Sequence, residues 1–178
     1  KVGNNLTPIE ISLFTSAYGS YLKKINSKKK IKIVIGRDAR VTGNLIKPIV
    51  INTLLFLGID IIDIDLASTP TVAISIPLEK ADGGIIISAS HNLKEWNALK
   101  LLNRDGEFIT SNDIIEVKRI FDKKDFNFSS IDLLGKTFTK NNYLDIHIDL
   151  ILKLDSVYVD LIKSSKFKVV VDGINSVG

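Results

Sequence analysis

The sequence predicts a three-layer α/β/α domain with a mixed, mostly parallel sheet. Short apolar runs rich in Ile and Val alternate along the chain with longer amphipathic stretches, an order typical of a parallel sheet covered by helices. One run, Ile85–Ile87, is apolar at every position, as in strands that are buried on both faces. A turn-like segment, Asn103–Gly106, separates two further apolar segments and predicts that at least one sheet edge is antiparallel.

The first half of the chain gives the clearest element boundaries. Thr7-Pro8-Ile9-Glu10 has the pattern of a capping box with proline at the first helical position, and it predicts a helix from about Pro8 to Ile25. Further strands are predicted where β-branched runs end at turn residues, and helices where apolar residues recur at helical spacing. In order, we expect a strand over 31–35, a helix over 44–57, a strand over 59–66 and a shorter helix over 71–79.

The second half of the chain is less regular. Its elements are predicted from the same two patterns, with turn residues marking the boundaries. After the apolar strand, we expect short strands over 99–102 and 107–109, a helix over 111–121, irregular chain over 122–140, one or two helices over 141–164 and a strand over 167–171.

The end of the chain predicts a second domain. The strand-like run Phe167–Val171 follows a long helical stretch and precedes only a few residues, which is a poor way for an α/β domain to end. We therefore predict one domain over residues 1–165 and the first strand of a second domain over residues 166–178. The sequence also contains no Met, even at position 1, so we expect it to be a piece of a longer protein.

Composition argues against several classes of protein. The chain has 178 residues, 45% hydrophobic and 25% charged, a balance typical of a folded domain and not of a disordered chain. The basic cluster at Lys28–Lys30 and Lys32 is explained by a solvated loop before a strand, and no interleaving of basic and aromatic residues points to nucleic acid. Without Cys, a secretory leader or a run long enough to span a bilayer, the sequence favours a reducing, cytoplasmic setting.

Three polar loops follow predicted strands, where open α/β sheets collect their functional groups. The first covers residues 36–43 and is rich in arginine, the second covers residues 67–71, and the third covers residues 88–97 after the apolar strand. Their polar residues are Arg37, Asp38, Arg40 and a helix-capping Thr42 in the first loop, and Ser90, His91, Asn92 and Asn97 in the third.

The third loop has residue types that suit phosphoryl transfer. The hydroxyl of Ser90 could accept a phosphoryl group, and His91, Lys100 and backbone N–H groups could neutralise its charge. The simpler alternative is a serine-rich cap for a following helix, with His91 at the surface. The residues alone leave both alternatives open and favour the simpler one.

The first loop also permits two roles. Arg37-Asp38-Ala39-Arg40 could be an ion-pair knot that braces neighbouring loops, or it could be an anion clamp. Exposed ion pairs contribute little to stability, so an arginine doublet at a strand end suggests a role in placement. We favour the bracing role over direct contact with a substrate.

Other polar residues point to structure. His147 lies in a helical Ile-His-Ile pattern, and we expect a partly buried helix residue there. Asp60, Asp63 and Asp65 are expected to be strand-end and loop acids, since no further ligand types accompany them. The sequence contains neither Gly-x-Gly-x-x-Gly nor Gly-x-x-x-x-Gly-Lys-Ser/Thr, the two common nucleotide-binding fingerprints.

Four sequence blocks occur in a specific order and spacing. They are the run from Gly36 to Gly43, then Thr69-Pro70-Thr71, then the run from Gly83 to Asn92, and then Trp96-Asn97-Ala98-Leu99-Lys100. Together they resemble the first domain of the α-D-phosphohexomutase superfamily, which contains phosphoglucomutase, phosphomannomutase and phosphoglucosamine mutase. The resemblance extends over residues 7–121, and residues 168–178 are similar to the opening of the family's second domain.

The resemblance implies an enzyme that interconverts hexose 1-phosphates and 6-phosphates through a phosphoserine and a hexose 1,6-bisphosphate. Ser90 corresponds to the phosphorylated serine, Lys100 to an active-site lysine and His91 to the histidine after the nucleophile. Mg²⁺ would bind the phosphate on Ser90 together with three aspartates of the second domain. The residues expected to support the loop or to bind an anion are Arg37, Asp38, Arg40, Asn92 and Asn97.

Two departures from the family pattern and several absences limit what the resemblance implies. Leu93 stands where the family usually has Pro, and Ala98 stands where it usually has Gly. The family's N-terminal strand with its catalytic arginine, its metal-binding aspartate loop, its sugar-selecting loop and its phosphate-binding domain are not in this sequence. We therefore expect this chain to be inactive without the remaining domains of the same polypeptide.

Alternative functions remain open. A phosphoglucosamine mutase is the alternative within the family. A non-catalytic α/β binding module is an alternative of another class, which Leu93 and Ala98 keep open. A serine hydrolase using Ser90 is disfavoured, because no Gly-x-Ser-x-Gly elbow occurs and an adjacent His91 is badly placed to act as its base. In each mutase hypothesis the partner is a hexose phosphate, and we expect neither nucleic acid nor membrane.

Overall fold

A computed structural model describes residues 1–26 and 30–177 of the chain. Lys28 and Lys29, which belong to the predicted solvated loop, lie outside the described residues. The described helices are α1 (Pro8–Ile25), α2 (Gly43–Phe56), α3 (Thr69–Leu78), α4 (Ser111–Lys123), α5 (Tyr143–Leu152) and α6 (Val159–Ser164), with a 3-10 turn at Ile131–Leu133.

The strands form a mixed, mostly parallel sheet, which confirms the predicted fold class. Strand β1 lies at the centre and pairs in parallel with β2 and β3. Strand β5 is parallel to β2, whereas β4 is antiparallel to β3, so one edge is antiparallel as predicted. In the order β4-β3-β1-β2-β5, the strands are Leu99–Leu102, Gly83–Ile87, Lys32–Arg37, Asp60–Leu66 and Thr137–Thr139.

Helix α1 begins where the capping box predicts. The backbone N–H of Thr7 donates to Glu10 Oε2 at 3.1 Å, and Pro8 occupies the first helical turn, where its missing N–H costs nothing. The hydrogen bond from the Thr7 hydroxyl is the largest cause of a lowered pKa at the Glu10 carboxyl. The local sequence therefore starts this helix without help from distant residues.

Alternating strand residues build two apolar layers, one on each face of the sheet. Ile33 and Ile35 point to the layer that α1, α2 and α4 cover, whereas Val34 points to the layer that α3 and α5 cover. All three side chains are fully buried. Because both faces are covered, the middle of β1 and the run Ile85–Ile87 of β3 are apolar without alternation. Among the described residues, no helix combines the length and the apolarity needed to cross a membrane.

Tyr18 links the first helix to the antiparallel edge of the sheet. Its hydroxyl donates to the Leu102 carbonyl oxygen at 2.6 Å and accepts from the Gly84 N–H at 3.1 Å. The ring is fully buried, and burial raises the pKa of the hydroxyl, so it remains a neutral donor. A Cβ at Gly83 would lie 2.3 Å from the Tyr18 hydroxyl oxygen, which explains a glycine in the middle of the sheet.

Three predictions for the later part of the chain need correction. Phe167–Val171 forms no strand, because its backbone has no partner strand; Val170 is 97% exposed. The predicted strand over 107–109 is reduced to one bridge between Phe108 and Leu102. Strand β5 lies in the segment predicted to be irregular, and its exposed residues give no apolar alternation in the sequence. The domain boundary at residue 165 stays a prediction.

Replacing Tyr18 by Phe should destabilise the chain by about 1–3 kcal/mol, because the change leaves the Leu102 carbonyl and the Gly84 N–H buried without the hydroxyl. Urea denaturation followed by the fluorescence of Trp96, the one tryptophan in the sequence, measures the loss. Tyr158→Phe is the matched control, since that side chain is 66% exposed. Equal stability of the two variants would contradict a structural role for the Tyr18 hydroxyl.

Candidate functional site

The three polar loops meet at one edge of the sheet. The N–H of Asp38, just after β1, donates to the carbonyl oxygen of Ile87 at the end of β3, at 3.1 Å. The N–H of Ala67, just after β2, donates to the carbonyl oxygen of Arg37 at 3.0 Å. These bonds continue the parallel pairing of the strands by one residue, so the loops start side by side.

Ser90 lies in the loop after β3 with an exposed side chain and a left-handed backbone, φ 56°. This conformation costs a residue other than glycine about 1–2 kcal/mol, so the surrounding contacts must hold it. One of these contacts is the hydrogen bond from the Ser90 N–H to Ser88 Oγ at 3.0 Å. Ser88 is itself buried, and its N–H donates to the Ala98 carbonyl oxygen at 3.0 Å. The base of the loop is thus tied to the residue before β4.

His91 and Lys100 both lie near Ser90. The Nδ1 atom of His91 is 3.5 Å from Ser90 Oγ, at the outer limit of a hydrogen bond. Lys100 projects from β4, and Ser90 and Lys100 line the same 470 Å³ groove, with Trp96 and Phe14 among its other walls. Within the described part of the chain, the Lys100 ammonium forms no ion pair or side-chain hydrogen bond. The groove therefore combines a free cation with an exposed hydroxyl.

Arg40 reaches from the first loop to the third and donates only to backbone oxygens there. Its Nη2 donates to the carbonyl oxygens of Ser90 at 2.9 Å and Asn92 at 2.5 Å. Its Nη1 donates to those of Leu93 at 2.9 Å and Trp96 at 3.1 Å. These four bonds place Arg40 underneath the serine loop as a brace, the role that we favoured for the arginine doublet.

Asp38 holds Arg40 in place. Its Oδ1 accepts from the Arg40 backbone N–H at 3.0 Å, and its Oδ2 lies 3.3 Å from the Arg40 Nε. Both side chains are largely buried, so water screens this pair less than a surface pair. The acid of the arginine loop therefore orients the guanidinium that supports the next loop.

Arg37 belongs to a separate charged cluster. Its Nε donates to Asp65 Oδ1 at 3.1 Å, and Lys47 donates to Asp63 at 2.8 Å and to Asp65 at 2.6 Å. The hydrogen bond from Lys47 lowers the pKa of the Asp65 carboxyl, and this effect outweighs burial. Burial alone would lower the pKa of Lys47, but the two carboxylates raise it. Lys47 and Asp65 therefore stabilise each other in their charged forms.

The cluster connects with the brace through one backbone group. The Nη1 of Arg37 donates to the Asp38 carbonyl oxygen at 3.2 Å. Sequence reasoning missed Lys47, although its position one turn into the helix after the first loop could have suggested contact with the strand-end acids Asp63 and Asp65. The acids are thus occupied with cations from β1 and α2.

The two asparagines of the third loop differ. Asn97 is buried, and its Nδ2 donates to Thr42 Oγ1 at 2.9 Å while its Oδ1 accepts from the Ala98 N–H at 2.9 Å. The predicted capping role of the Thr42 side chain is therefore wrong, because its hydroxyl accepts from Asn97 and makes no cap bond. Asn92 is exposed and contributes only backbone groups: its carbonyl oxygen accepts from Arg40, and its N–H donates to the Ala89 carbonyl oxygen at 3.1 Å.

The two departures from the family pattern fit into the loop. Leu93 is 71% exposed and contributes its carbonyl oxygen to Arg40. Ala98 is outside the set of residues with positive φ, and its carbonyl oxygen accepts from the Ser88 N–H.

The remaining candidate residues have structural contacts. His147 is half-buried on α5, as expected, and its Nδ1 lies 2.9 Å from the Thr71 hydroxyl oxygen. Asp60, at the opposite end of β2, accepts from the Lys136 N–H at 2.9 Å. Over residues 1–26 and 30–177, no group of three or more His, Cys, Asp or Glu side chains could hold a metal ion.

Comparison with known proteins points to one family. Residues 1–128 match the family model for phosphoglucomutase/phosphomannomutase, α/β/α domain I. A phosphoglucomutase/phosphomannomutase of Thermococcus kodakarensis is 34% identical over 162 residues, 91% of this chain. A phosphoglucosamine mutase of Methanococcus vannielii is 36% identical over 150 residues, 84% of this chain.

A solved structure shows the same fold at lower identity. It is a phosphoglucomutase/phosphomannomutase family protein from Burkholderia thailandensis, with a TM-score of 0.71 and 19% identity over 84% of this chain. The chain covers 32% of that structure, and it covers 35% and 32% of the two relatives. It thus spans about a third of the length of each of these three proteins.

Asn97→Ala should destabilise the chain by about 1–3 kcal/mol, since it removes a buried amide and leaves the half-buried Thr42 hydroxyl and the Ala98 N–H without their partner. The matched control is Asn92→Ala, which should be close to neutral because the Asn92 side chain is exposed and makes no hydrogen bond within the described residues. Urea denaturation curves of both variants give the comparison. A loss of stability at Asn92 equal to that at Asn97 would be incompatible with the observed network.

Proposed function

Because the chain belongs to the phosphoglucomutase/phosphomannomutase family, we propose that it carries the phosphoryl-accepting serine of a phosphohexomutase. The reaction interconverts a hexose 1-phosphate and a hexose 6-phosphate. The observation that carries the proposal is the position of Ser90, exposed on a braced, left-handed turn in the same groove as the unpaired Lys100. The chain spans a third of its relatives' length, so the activity is proposed for the complete polypeptide.

Ser90 serves as the carrier of the phosphoryl group. Phosphorylated Ser90 gives its phosphoryl group to the free hydroxyl of a hexose monophosphate: the bond between phosphorus and Oγ breaks, a bond between phosphorus and the sugar oxygen forms, and Oγ takes up a proton as the sugar hydroxyl loses one. The resulting hexose 1,6-bisphosphate returns its other phosphoryl group to Ser90 Oγ, and the serine proton passes to the released sugar oxygen, so that the isomeric monophosphate leaves and the serine is phosphorylated again. His91 Nδ1, 3.5 Å from Oγ, is within reach of the proton that moves in each direction.

Lys100 neutralises negative charge in the groove. Phosphoryl transfer depends mainly on positioning and on electrostatic stabilisation of the equatorial oxygens of the phosphoryl group. An ammonium group supplies this electrostatic stabilisation. Lys100 has no ion-pair partner among the described residues, so its charge is available to a phosphate. Arg37 is committed to Asp65 and to the Asp38 carbonyl and is not available in this way.

Mg²⁺ is the metal that the family resemblance implies, and the described residues do not form a complete site for it. No cluster of three or more acidic or imidazole ligands occurs among them, and the nearby Asp63 and Asp65 are paired with Lys47. A phosphate on Ser90 is the ligand that this chain could contribute. Mg²⁺, when bound, neutralises charge on the transferred group, and its other ligands would come from outside these residues.

A serine hydrolase is less well supported. Such an enzyme needs a third group that orients the histidine, and no described carboxylate bonds to His91.

The identity of the sugar is not narrowed by the comparisons, because relatives include both a phosphoglucomutase/phosphomannomutase and a phosphoglucosamine mutase. Our proposal therefore covers hexose phosphates as a class.

The first test is the site of phosphorylation. Treatment of the complete polypeptide with glucose 1,6-bisphosphate should phosphorylate Ser90, and peptide mass spectrometry identifies the modified residue. Ser90→Ala should abolish the modification. Ser130→Ala is a suitable control, since Ser130 is exposed but lies outside the groove, and this variant should still be modified at Ser90.

Phosphate on another residue, or an active enzyme with an unmodified Ser90, would contradict the proposal. Labelling of Ser90 by a fluorophosphonate without phosphorylation would favour acyl transfer. Mutase activity of the complete polypeptide would exclude the binding-module hypothesis.

The second test concerns Lys100. Lys100→Met should slow the phosphorylation of Ser90 by about 100-fold, because the groove loses an ammonium that has no ion-pair partner among the described residues, whereas Lys1, which also lines the groove, is paired with Glu95. Lys94→Met is the matched control: Lys94 is exposed in the same loop and lies outside the groove lining. A single-turnover measurement with the bisphosphate gives both rates. Similar rates for the two variants would remove Lys100 from the proposed mechanism.

A further inference from the structure

We propose that Arg40 is a positioning residue that holds the Ser90 backbone in the conformation required for phosphoryl transfer. The inference rests on the proposed function and assigns a part in it to a side chain that touches no substrate. It also decides between the two roles that the sequence left open for the arginine doublet.

The number of donors excludes the anion clamp for Arg40. A guanidinium has five N–H groups in a fixed plane. Four of them donate to carbonyl oxygens of the serine loop, at 2.5 to 3.1 Å. The fifth, on Nε, makes no hydrogen bond but is buried, 3.3 Å from Asp38 Oδ2. No accessible N–H of Arg40 is left for a phosphate.

The four acceptors follow the turn around Ser90. They are the carbonyl oxygens of Ser90 itself and of Asn92, Leu93 and Trp96, four groups within seven residues. Ser90 has a left-handed backbone, a conformation that persists only where the surrounding contacts hold it. The hydrogen bond from Nη2 to the Ser90 carbonyl oxygen is one such contact. The brace therefore acts at the residue whose backbone is strained.

The brace is anchored in the sheet. Asp38 fixes the Arg40 backbone and faces its Nε, and the N–H of Asp38 donates to the end of β3. Arg37 adds a bond to the Asp38 carbonyl and is held by Asp65. Movement of the guanidinium thus requires movement of two adjacent strand ends. A rigid anchor of this kind is what near-attack placement of a nucleophile needs.

Lysine is not equivalent to arginine at this position. Its ammonium is a single point with three donors, whereas the four carbonyl oxygens are matched by a planar fork with donors on two nitrogens. Arg40→Lys therefore keeps the charge and removes the geometry. Arg119→Lys is the matched control, because Arg119 also makes a two-pronged contact, with Glu116 on the surface of α4.

The experiment uses the complete polypeptide and single-turnover phosphorylation with glucose 1,6-bisphosphate. Arg40→Lys should lower the maximal rate by about 100-fold and leave the half-saturating donor concentration unchanged, whereas Arg119→Lys should match the wild type. Millimolar guanidinium chloride should restore part of the rate of Arg40→Ala, while sodium chloride should not. A raised half-saturating concentration with an unchanged maximal rate would overturn the proposal in favour of an anion clamp.

A second measurement separates this inference from the proposed function. Trp96 lies in the braced loop, so Arg40→Lys should shift its emission or its quenching by iodide without any sugar present, and Arg119→Lys should not. A wild-type protein that takes no phosphate refutes the function but leaves this measurement intact. Unchanged Trp96 fluorescence together with an unchanged rate in Arg40→Lys would refute the positioning role.

Discussion

The register between the two central parallel strands is the constraint on which the candidate site depends. Arg37, the last residue of β1, is paired with Ile87, the last residue of β3. Both strands are buried by apolar layers on their two faces, so a slip of one residue would turn every side chain to the wrong layer. The same packing that stabilises the core therefore starts the arginine loop and the serine loop at one level, within reach of a single guanidinium.

The charges near the site are divided between two tasks. Lys47, Asp63, Asp65 and Arg37 neutralise one another at the end of β2, whereas Arg40 directs its donors mainly to neutral carbonyl oxygens. Hydrogen bonds from a charged donor to backbone oxygens fix a loop without placing an opposite charge beside the nucleophile. Of the two lysines that line the groove, Lys1 is paired with Glu95, and Lys100 has no ion-pair partner among the described residues.

Much of this arrangement could be predicted, for identifiable reasons. Helix α1, the central strands and the third loop follow from capping, apolar patterning and motif order, which are local signals. A bracing role for Arg40 could be predicted from the sequence, but the groups that it contacts could not. They are backbone carbonyl oxygens, which every residue has. Strand β5 was missed for a similar reason: it is held by backbone bonds such as that from the Ile61 N–H to the Lys136 carbonyl. The sequence suggests a capping role for the Thr42 side chain because its actual partner, Asn97, is far away along the chain.

The Tyr18 hydroxyl contact also bears on how the chain folds. It joins residues that are 84 positions apart, so the chain must close a long loop before the bond can form. Local signals are enough to start helix α1 once its first turn is capped. The Tyr18 hydroxyl, however, reaches its protein acceptor only after β3 and β4 have paired. Contacts of such high sequence separation slow the folding of small domains. The earliest helix in the sequence is therefore expected to be among the last to reach its final position.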